Sequence, residues 1–162
     1  MPDRKTNPMR NKSRLRLDAF TPYRLSVLTN RISGAIARHY SERFDLSIPE
    51  WRVMAVLGET PGLSARDVAG RTAMDKVQVS RAVQSLLATK RLTRVSDRAD
   101  GRVTKLSLSA RGRAIYDEVV PLALRLEQEF LSTLNAGERK SFDALLTKLS
   151  AISAAMASSA GV

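Results

Sequence analysis

Residues 75–92 of this sequence carry side chains that could recognise a nucleic acid. On a helix that turns about 100° per residue, their apolar side chains gather on one face and their polar and basic ones on the other. Glutamine can pair with adenine, an exposed valine can contact a thymine methyl group, and arginine or lysine can bind phosphate. The outer face carries Lys76, Val77, Gln78, Ser80, Arg81 and Gln84. An ordinary solvated helix face would look the same, so the neighbouring segments must decide.

A change of period after Leu92 predicts a β-hairpin directly behind this helix. Residues 93–95 and 103–108 alternate in polarity and are rich in β-branched side chains, which favours two strands, and an Asp-Gly turn signal lies between them. A basic hairpin behind such a helix suits a winged helix-turn-helix, in which the helix enters the major groove and the wing contacts phosphates or the minor groove. Taken alone, the hairpin could equally be a structural ribbon with solvated charges.

The residues before the helix supply the other half of a helix-turn-helix. A Ser-x-x-Asp cap at residues 64–67 predicts a short helix through about residue 71, and residues 72–74 then form a turn. The first helix of such a pair crosses the DNA backbone, so we expect Ser64 and Arg66 to contact phosphate. Further upstream, Ser47 and Glu50 predict a capping box for a preceding helix.

Three further helices are predicted where apolar residues recur at three- and four-residue steps. The first runs from Thr21 to about Phe44. The second follows the hairpin to about Leu134, with a bend expected at Pro121, and the third begins after Asn135. Their apolar stripes exceed what a compact winged helix of about 70 residues needs to cover itself. We therefore expect them to pack together and against a second copy, which would place two recognition helices about one DNA turn apart.

These elements predict a mainly α, α+β fold in three regions. Residues 46–108 form a winged helix-turn-helix DNA-binding domain with a two-stranded wing, and residues 21–45 and 109–158 form a helical dimerisation region. Residues 1–20 form a basic flexible arm, which either adds phosphate contacts or only aids solubility.

The net charge of +11 is concentrated where DNA binding would use it. Residues 1–20 carry six basic and two acidic side chains, residues 75–105 carry eight basic and three acidic ones, and residues 106–162 carry six of each. This clustering indicates a nucleic-acid partner. An anionic membrane surface or general solubility could also explain the charge, but a membrane-bound amphipathic helix has no need of a hairpin.

Several classes of protein are disfavoured. The absence of cysteine excludes disulfides, thiolate metal sites and a cysteine redox switch. The sequence has no paired-carboxylate site, no Ser/His/Asp set, no phosphate-binding loop and one isolated histidine, so we expect no enzyme, no metal and no other cofactor. From the sequence we expect neither a membrane span, which needs roughly 18 apolar residues, nor a signal peptide. We expect a bacterial cytoplasmic protein that is associated with the nucleoid when bound to DNA.

Four segments occur in an order and spacing that resemble the MarR family of bacterial transcription regulators. They are residues 46–57 (LSIPEWRVMAVL), Val79-Ser80-Arg81, Asp100-Gly101-Arg102 and residues 106–112 (LSLSARG). The resemblance covers about Arg24 to Met156. Arg91 stands where the family commonly has glycine before the wing, and Ser109 replaces the usual threonine while keeping a capping hydroxyl. The turn into the first strand is therefore expected to differ.

The resemblance implies a homodimer that binds a palindromic operator and usually represses transcription. On the recognition helix it implies that Arg81 binds phosphate, while Gln78, Ser80 and Gln84 lie closest to the bases.

For the wing, the resemblance implies that Arg98 or Arg102 reaches the minor groove. It also implies that Asp100 pairs with Arg102 and so orders the tip. Lys105 on the second strand completes the predicted DNA-binding residues.

In this family a small anionic, often aromatic, molecule commonly binds between the dimerisation helices and the winged domain and releases DNA. The residues predicted near such a ligand offer a cation for a carboxylate and rings for an aromatic body: Arg38, His39, Tyr40, Trp51 and Arg52. Each also has a structural interpretation as a packed or half-exposed side chain. Our hypothesis for the effector is a phenolic acid or its coenzyme A thioester. The absence of cysteine argues against the peroxide-sensing branch of the family.

Two rival functions share this charge pattern. An architectural protein would coat DNA without sequence preference, through the salt-dependent electrostatic contribution alone. A regulator without any small-molecule effector would bind its operator in the same way but would not be released by a ligand.

Overall fold

The computed structural model describes residues 14–72, 74–96 and 104–159, with side chains as far as Met156. The helices are α1 (Thr21–Arg38), α2 (Ser41–Phe44), α3 (Ile48–Glu59), α4 (Ala65–Thr72), α5 (Lys76–Ala88), α6 (Ala110–Leu131) and α7 (Ala136–Ser159). Strands β1 (Leu92–Ser96) and β2 (Thr104–Leu108) pair antiparallel, and this hairpin is called the wing. The predicted mainly α fold with a two-stranded wing is confirmed.

Helix α5 is held by its apolar face. The four inward side chains are buried as the periodicity predicted: Val79, Ala82, Val83 and Leu86. They belong to one core with residues of α3, α4 and β2, including Val53, Leu57, Val68 and Leu106. Full burial of a valine or leucine side chain stabilises a fold by about 1.5–3 kcal/mol. This packing therefore determines which face of α5 remains outside.

The wing is attached to the segment between α3 and α4. The Leu106 N–H donates to the Leu63 carbonyl at 2.8 Å, and the Gly62 N–H donates to the Leu106 carbonyl at 2.9 Å. Gly62 has a φ of 78°, a left-handed conformation that favours glycine. Strand β2 is thus hydrogen-bonded on both edges, which fixes the base of the wing relative to α3 and α4.

Side-chain caps begin four of the helices where the sequence predicted them. In three of them the capping residue accepts a hydrogen bond from the backbone three residues later, whose acidic side chain accepts one in return. These pairs are Ser47 with Glu50, Ser64 with Asp67, and Asn135 with Glu138. Ser109 accepts a hydrogen bond from the Gly112 N–H at 3.0 Å and caps α6.

The prediction of one helix from Thr21 to about Phe44 is wrong. Helix α1 ends at Arg38, and the chain turns at residues 39–40 before the short helix α2 begins. The cause is tertiary: the Tyr40 side chain is 1% exposed and packs against Trp51 of α3, so the chain bends to bury it. A helical pattern in sequence carries no record of that contact.

The predicted recognition helix also ends earlier than residue 92. Helix α5 stops at Ala88, and Lys90 adopts the left-handed conformation with a φ of 56°. The N–H of Lys90 donates to the Leu87 carbonyl at 3.0 Å and the N–H of Arg91 to the Leu86 carbonyl at 2.8 Å, which is a Schellman motif. Lysine thus fills the position that usually carries glycine, and Leu92 becomes the first residue of β1.

Arg91 lies where α5, α2 and α6 meet. Its side chain is 4% exposed and donates from Nη1 to the Asp45 carbonyl at 2.7 Å and from Nη2 to the Phe44 carbonyl, at the end of α2. Its own carbonyl accepts a hydrogen bond from the Ser109 N–H at 3.0 Å, at the start of α6. The buried Nε has no hydrogen-bond partner among the described residues. Arg91 therefore connects the end of α5 to α2 and α6.

Glu50 connects α3 to α5. Its Oε1 accepts a hydrogen bond from the Ser85 hydroxyl at 2.5 Å, and its Oε2 accepts one from the Ser47 hydroxyl at 2.6 Å. Burial raises the pKa of Glu50, but the hydrogen bonds from Ser47 and Ser85 and the charge of Arg91 outweigh it. The pKa of this carboxyl therefore lies below its ordinary value, and the group is charged at neutral pH.

We expect Gly112→Ala to lower the free energy of unfolding by about 1–3 kcal/mol, because the added Cβ would lie 2.0 Å from the Arg91 carbonyl oxygen, a backbone atom. Gly70→Ala in α4 is the matched control, since no atom lies within 4 Å of its added Cβ. Alanine there should stabilise α4 by about 0.5–1 kcal/mol. Urea unfolding of both variants checks this, and equal stabilities would contradict the close approach of α6 to Arg91.

We expect Glu50→Gln to destabilise the protein by about 1–3 kcal/mol at neutral pH, because Ser47 and Ser85 lose a charged acceptor and Arg91 loses a nearby opposite charge. A depressed pKa contributes stability above the unfolded value of about 4.3, and the contribution disappears as pH falls through the folded value. Unfolding measured between neutral and acid pH should therefore show the two proteins converging below about pH 4. Glu59→Gln, at an exposed position on the same helix, should show only a small difference. A difference in the free energy of unfolding between wild type and Glu50→Gln that grows toward acid pH would contradict this account.

Candidate nucleic-acid interface

The outer face of α5 is open to solvent. All six predicted residues on it are exposed: Lys76, Val77, Gln78, Ser80, Arg81 and Gln84. The side chain of Asp75 caps the helix by accepting a hydrogen bond from the Gln78 N–H at 2.7 Å. The one carboxylate at this end of α5 is thus engaged with the backbone, and the face beyond it carries only neutral and basic groups.

A groove of about 520 Å³ runs between α5, α4 and the wing. Its floor is apolar and includes Val79, Val83 and Leu106. Its rim brings four predicted residues, Arg66, Lys76, Ser80 and Gln84, together with two that were not predicted, Arg94 and Thr104. Three cations from three different elements therefore border one groove beside the recognition helix, an arrangement suited to a phosphate backbone.

The position of Arg94 follows from strand alternation. Arg94 pairs with the buried Leu106 across the wing and lies on the same side of β1 as Leu92, which faces the core. Its face could have been inferred from its spacing to Leu92, whereas its proximity to Arg66 and Lys76 depends on the fold. The predicted Lys105 pairs with Val95 instead and therefore lies on the other side of the wing, outside the groove.

On α4, the cap limits what Ser64 can do. The Ser64 hydroxyl donates to Asp67 Oδ2 at 2.7 Å and accepts from the Asp67 N–H at 3.2 Å, so its hydrogen is already used. Hydrogen bonds from Ser64, and to a lesser extent the charges of Arg71 and Arg66, hold the pKa of Asp67 below its ordinary value. Arg66 is exposed at the first turn of α4 and borders the groove.

The predicted tip of the wing lies outside the described residues. Arg98, Arg102 and the ordering residue Asp100 all fall in that segment. The predictions that an arginine reaches the minor groove and that Asp100 pairs with Arg102 therefore stay predictions.

A second feature, the aromatic cluster, consists of Tyr40, Trp51 and Tyr116. The ring centroids of Tyr40 and Trp51 are 5.7 Å apart, and those of Trp51 and Tyr116 are 6.0 Å apart. Burial raises the pKa of the Tyr40 hydroxyl to about 12, with the charge of Arg52 acting in the opposite direction. The cluster lies where the turn after α1, helix α3 and helix α6 meet.

Arginines border this cluster. Arg52 is half-buried and donates to the Ser33 hydroxyl at 3.5 Å, and the Arg113 guanidinium lies 5.0 Å from the centroid of the Tyr116 ring. The other predicted effector residues, Arg38 and His39, are exposed beside Tyr40.

Sequence reasoning missed Tyr116 and Arg113, which lie far along the chain from Trp51. The nearest signal was Gly58: its absent Cβ would lie 2.2 Å from the Tyr116 ring, so this ring packs against the glycine.

Two other kinds of site are not found in the described part of the chain. No group of three or more His, Cys, Asp or Glu side chains there could hold a metal ion. None of the helices described is both long and apolar enough to cross a membrane.

Comparison with known proteins points to one family. A model of the MarR family matches residues 44–103, from the end of α2 to the wing. The HTH-type transcriptional repressor Rv2887 of Mycobacterium tuberculosis is 25% identical over 124 residues, which cover 76% of this chain and 86% of the relative.

Solved structures agree with this. BpsR of Bordetella bronchiseptica, whose DNA binding is regulated by 6-hydroxynicotinic acid, is 28% identical with a TM-score of 0.73, covering 85% of this chain and 98% of that one. The PcaV transcriptional regulator of Streptomyces coelicolor, solved in complex with its natural ligand, is 25% identical with a TM-score of 0.66, covering 85% and 96%. Together with the exposed face of α5 and the wing behind it, these similarities support a winged helix-turn-helix, DNA-binding transcriptional regulator of the MarR family.

Proposed function

We propose that the protein is a homodimeric repressor that binds a palindromic operator and leaves it when a small aromatic anion binds. The observation that carries the proposal is the division of α5 into a buried apolar face and an exposed face of Lys76, Gln78, Ser80, Arg81 and Gln84. A repressor assignment is supported by the similarity to Rv2887, which is itself a repressor. As a DNA-binding regulator the protein would act on the bacterial nucleoid, in the cytoplasm.

In this proposal α5 enters the major groove. Gln78, Ser80 and Gln84 face base edges, Val77 contacts a thymine methyl group, and Arg81 holds phosphate. The cations Arg66, Lys76 and Arg94 bind the backbone along the groove between α5 and the wing. Ser64 orders the start of α4, and because its hydroxyl and its N–H already donate to Asp67 Oδ2, a phosphate contact from Ser64 requires one of these hydrogen bonds to be replaced. At the wing, Arg98 or Arg102 enters the minor groove with Asp100 ordering the tip, and Lys105 contacts phosphate from the outer side.

Dimerisation is supported by apolar side chains that a single chain leaves exposed. Helix α7 buries none of its described side chains completely, and those of Leu145, Leu149, Ile152 and Met156 are between 48% and 66% exposed. Leu25 and Leu28 of α1 are also exposed. An apolar stripe of this length marks an association surface. A two-fold dimer through it would present two α5 helices to a palindromic operator.

For the effector, we propose a phenolic acid or its coenzyme A thioester. The aromatic cluster offers ring surfaces, and Arg52 and Arg113 beside it offer cations for a carboxylate. The related BpsR responds to 6-hydroxynicotinic acid, an aromatic acid. A ligand that binds one relative placement of the helical region and the winged domain more tightly would shift the dimer away from its DNA-binding state. Arg38 and His39 would contact the ligand from the exposed turn.

The experiment that tests the proposal is a titration of the pure protein against DNA from upstream of its own gene, with excess nonspecific competitor. We expect a discrete complex of one dimer per site to survive. Binding that is lost equally to competitor would favour an architectural DNA-binding protein or an operator elsewhere. A specific complex that no ligand releases would favour a regulator without an effector.

We expect Arg81→Ala to weaken binding to all DNA sequences, and the slope of log affinity against log salt to become shallower by about one for each phosphate that Arg81 no longer neutralises. Gln84→Ala should instead change the preference among operator variants, by about 1–3 kcal/mol at one base pair in each half-site. Fluorescence anisotropy across an operator library at several salt concentrations measures both quantities. An equal weakening on every sequence for both variants would contradict this division of roles.

Because Trp51 is the only tryptophan, its fluorescence reports directly on the aromatic cluster. We expect a phenolic acid or its coenzyme A thioester to change that fluorescence, and Arg52→Ala to weaken the binding by about tenfold through loss of a charged hydrogen bond. Arg111→Ala, an exposed arginine on α6, is the matched control and should leave binding unchanged. Absence of binding across a panel of both chemical classes would overturn the effector assignment.

A further inference from the structure

We infer that Arg91 is a positioning residue that sets the orientation of the proposed recognition helix α5 relative to α2 and α6 of the same chain. Through that orientation it sets the spacing of the two recognition helices in the dimer. The inference deepens the proposed function and rests on it, because a spacing exists only in a dimer that binds two half-sites. Arg91 itself faces the interior, and no DNA contact is assigned to it.

Arg91 is rigidly connected to α5 through the backbone. Only Thr89 and Lys90 separate it from the last residue of the helix, and its N–H donates back to the Leu86 carbonyl at 2.8 Å. Leu86 is itself 0% exposed in the core. A rotation or shift of α5 must therefore carry the Arg91 backbone with it.

The other end of the Arg91 side chain is anchored on α2. The guanidinium donates two hydrogen bonds to consecutive carbonyls, those of Phe44 and Asp45, where α2 ends. Asp45 has a φ of 45°, and this left-handed turn aims both carbonyls at the same group. A planar guanidinium that donates to two carbonyls at once fixes the direction of the Arg91 side chain as well as its distance from α2. A single hydrogen bond would fix the distance alone.

The backbone around Arg91 is also linked to α6. The Arg91 carbonyl accepts the Ser109 N–H at 3.0 Å, and the Lys90 carbonyl accepts the Ser109 hydroxyl at 2.8 Å. The start of α6 also passes so close that only a glycine fits at residue 112. One residue thus joins the end of α5 to the two helices, α2 and α6, that lead into the proposed dimerisation region.

Stability alone is a poor explanation for a buried arginine here. Burying a guanidinium requires desolvation of a charge, and its Nε finds no hydrogen-bond partner among the described residues. An apolar side chain of similar volume would often stabilise such a site at least as well. What the arginine adds is a directional connection between α2 and α5, with Glu50 close enough for the two charges to interact.

The first test measures the geometry without DNA. The chain has no cysteine, so Val77→Cys at an exposed position of α5 gives one unique spin-label site per chain. Pulsed electron–electron double resonance then measures the distance between the two recognition helices of a dimer. We expect a narrow distribution for otherwise wild-type protein and a broader one for Arg91→Ala. Arg91→Lys keeps the positive charge but loses the planar pair of N–H donors, so it should also broaden the distance distribution. It serves as the test variant if Arg91→Ala does not fold.

The second test measures spacing selectivity on DNA. Operators whose half-sites are moved apart or together by one base pair should bind wild type more weakly than the native spacing does. In Arg91→Lys and Arg91→Ala we expect this preference to fall by about tenfold, while the salt dependence of binding stays the same. A residue that only stabilised the fold would weaken all operators together and leave the preference intact.

Two matched controls separate orientation from stability. Val68→Ala removes buried volume from α4 without touching α2, and Arg43→Ala removes an exposed arginine that pairs with Glu118. Both should keep the narrow distance distribution and the spacing preference. Arg91 variants that also keep both would overturn the inference while leaving the proposed function standing. If the wild-type protein formed no sequence-specific complex with DNA, or if the spin labels gave no distance between two chains, the proposed function would be overturned and this inference with it.

Discussion

Burial of one face of α5 is the interaction on which the rest of the structure depends. Val79 and Leu86 are 1% and 0% exposed, and they pack among α3, α4 and β2. Apolar burial is non-directional, but it can be satisfied by only one face of an amphipathic helix, so it fixes the rotation of α5 about its own axis. That rotation presents Gln78, Arg81 and Gln84 to solvent together. The proposed interface with DNA is thus a consequence of how the core is packed.

Directional polar contacts then fix what apolar packing leaves free, which is the position of α5 along its axis. Ser85 donates to the buried Glu50 of α3, and Arg91 after the last turn reaches the end of α2. Hydrogen bonds tolerate little change in distance or angle, so together they hold the helix in one register. The two charged residues that are buried in the described part of the chain, Glu50 and Arg91, lie on boundaries between elements.

The aromatic cluster and the end of α2 are connected through a short piece of chain. Tyr40 packs on Trp51, and the Tyr40 carbonyl accepts a hydrogen bond from the Phe44 N–H at 3.0 Å. The Phe44 carbonyl in turn accepts a hydrogen bond from the Arg91 guanidinium. A ligand that displaced Tyr40 would therefore act on the backbone that anchors Arg91. The proposed effector site and the proposed positioning residue thus belong to one contiguous set of contacts, which would give the proposed release of DNA a physical basis.

The sequence by itself determined the features that depend on neighbours within about four residues: the apolar face of α5, the serine caps of α3 and α4, the strands of the wing and the clustering of charge. It also predicted that α5 carries residues suited to contacting DNA. Only the tertiary structure decided that the first helix breaks before Tyr40, that Arg94 joins Arg66 beside α5, and that Tyr116 packs on Trp51. Periodicity reports which face of an element is apolar but not which distant element covers it. That choice depends on the path of the whole chain and on burial that no local pattern records.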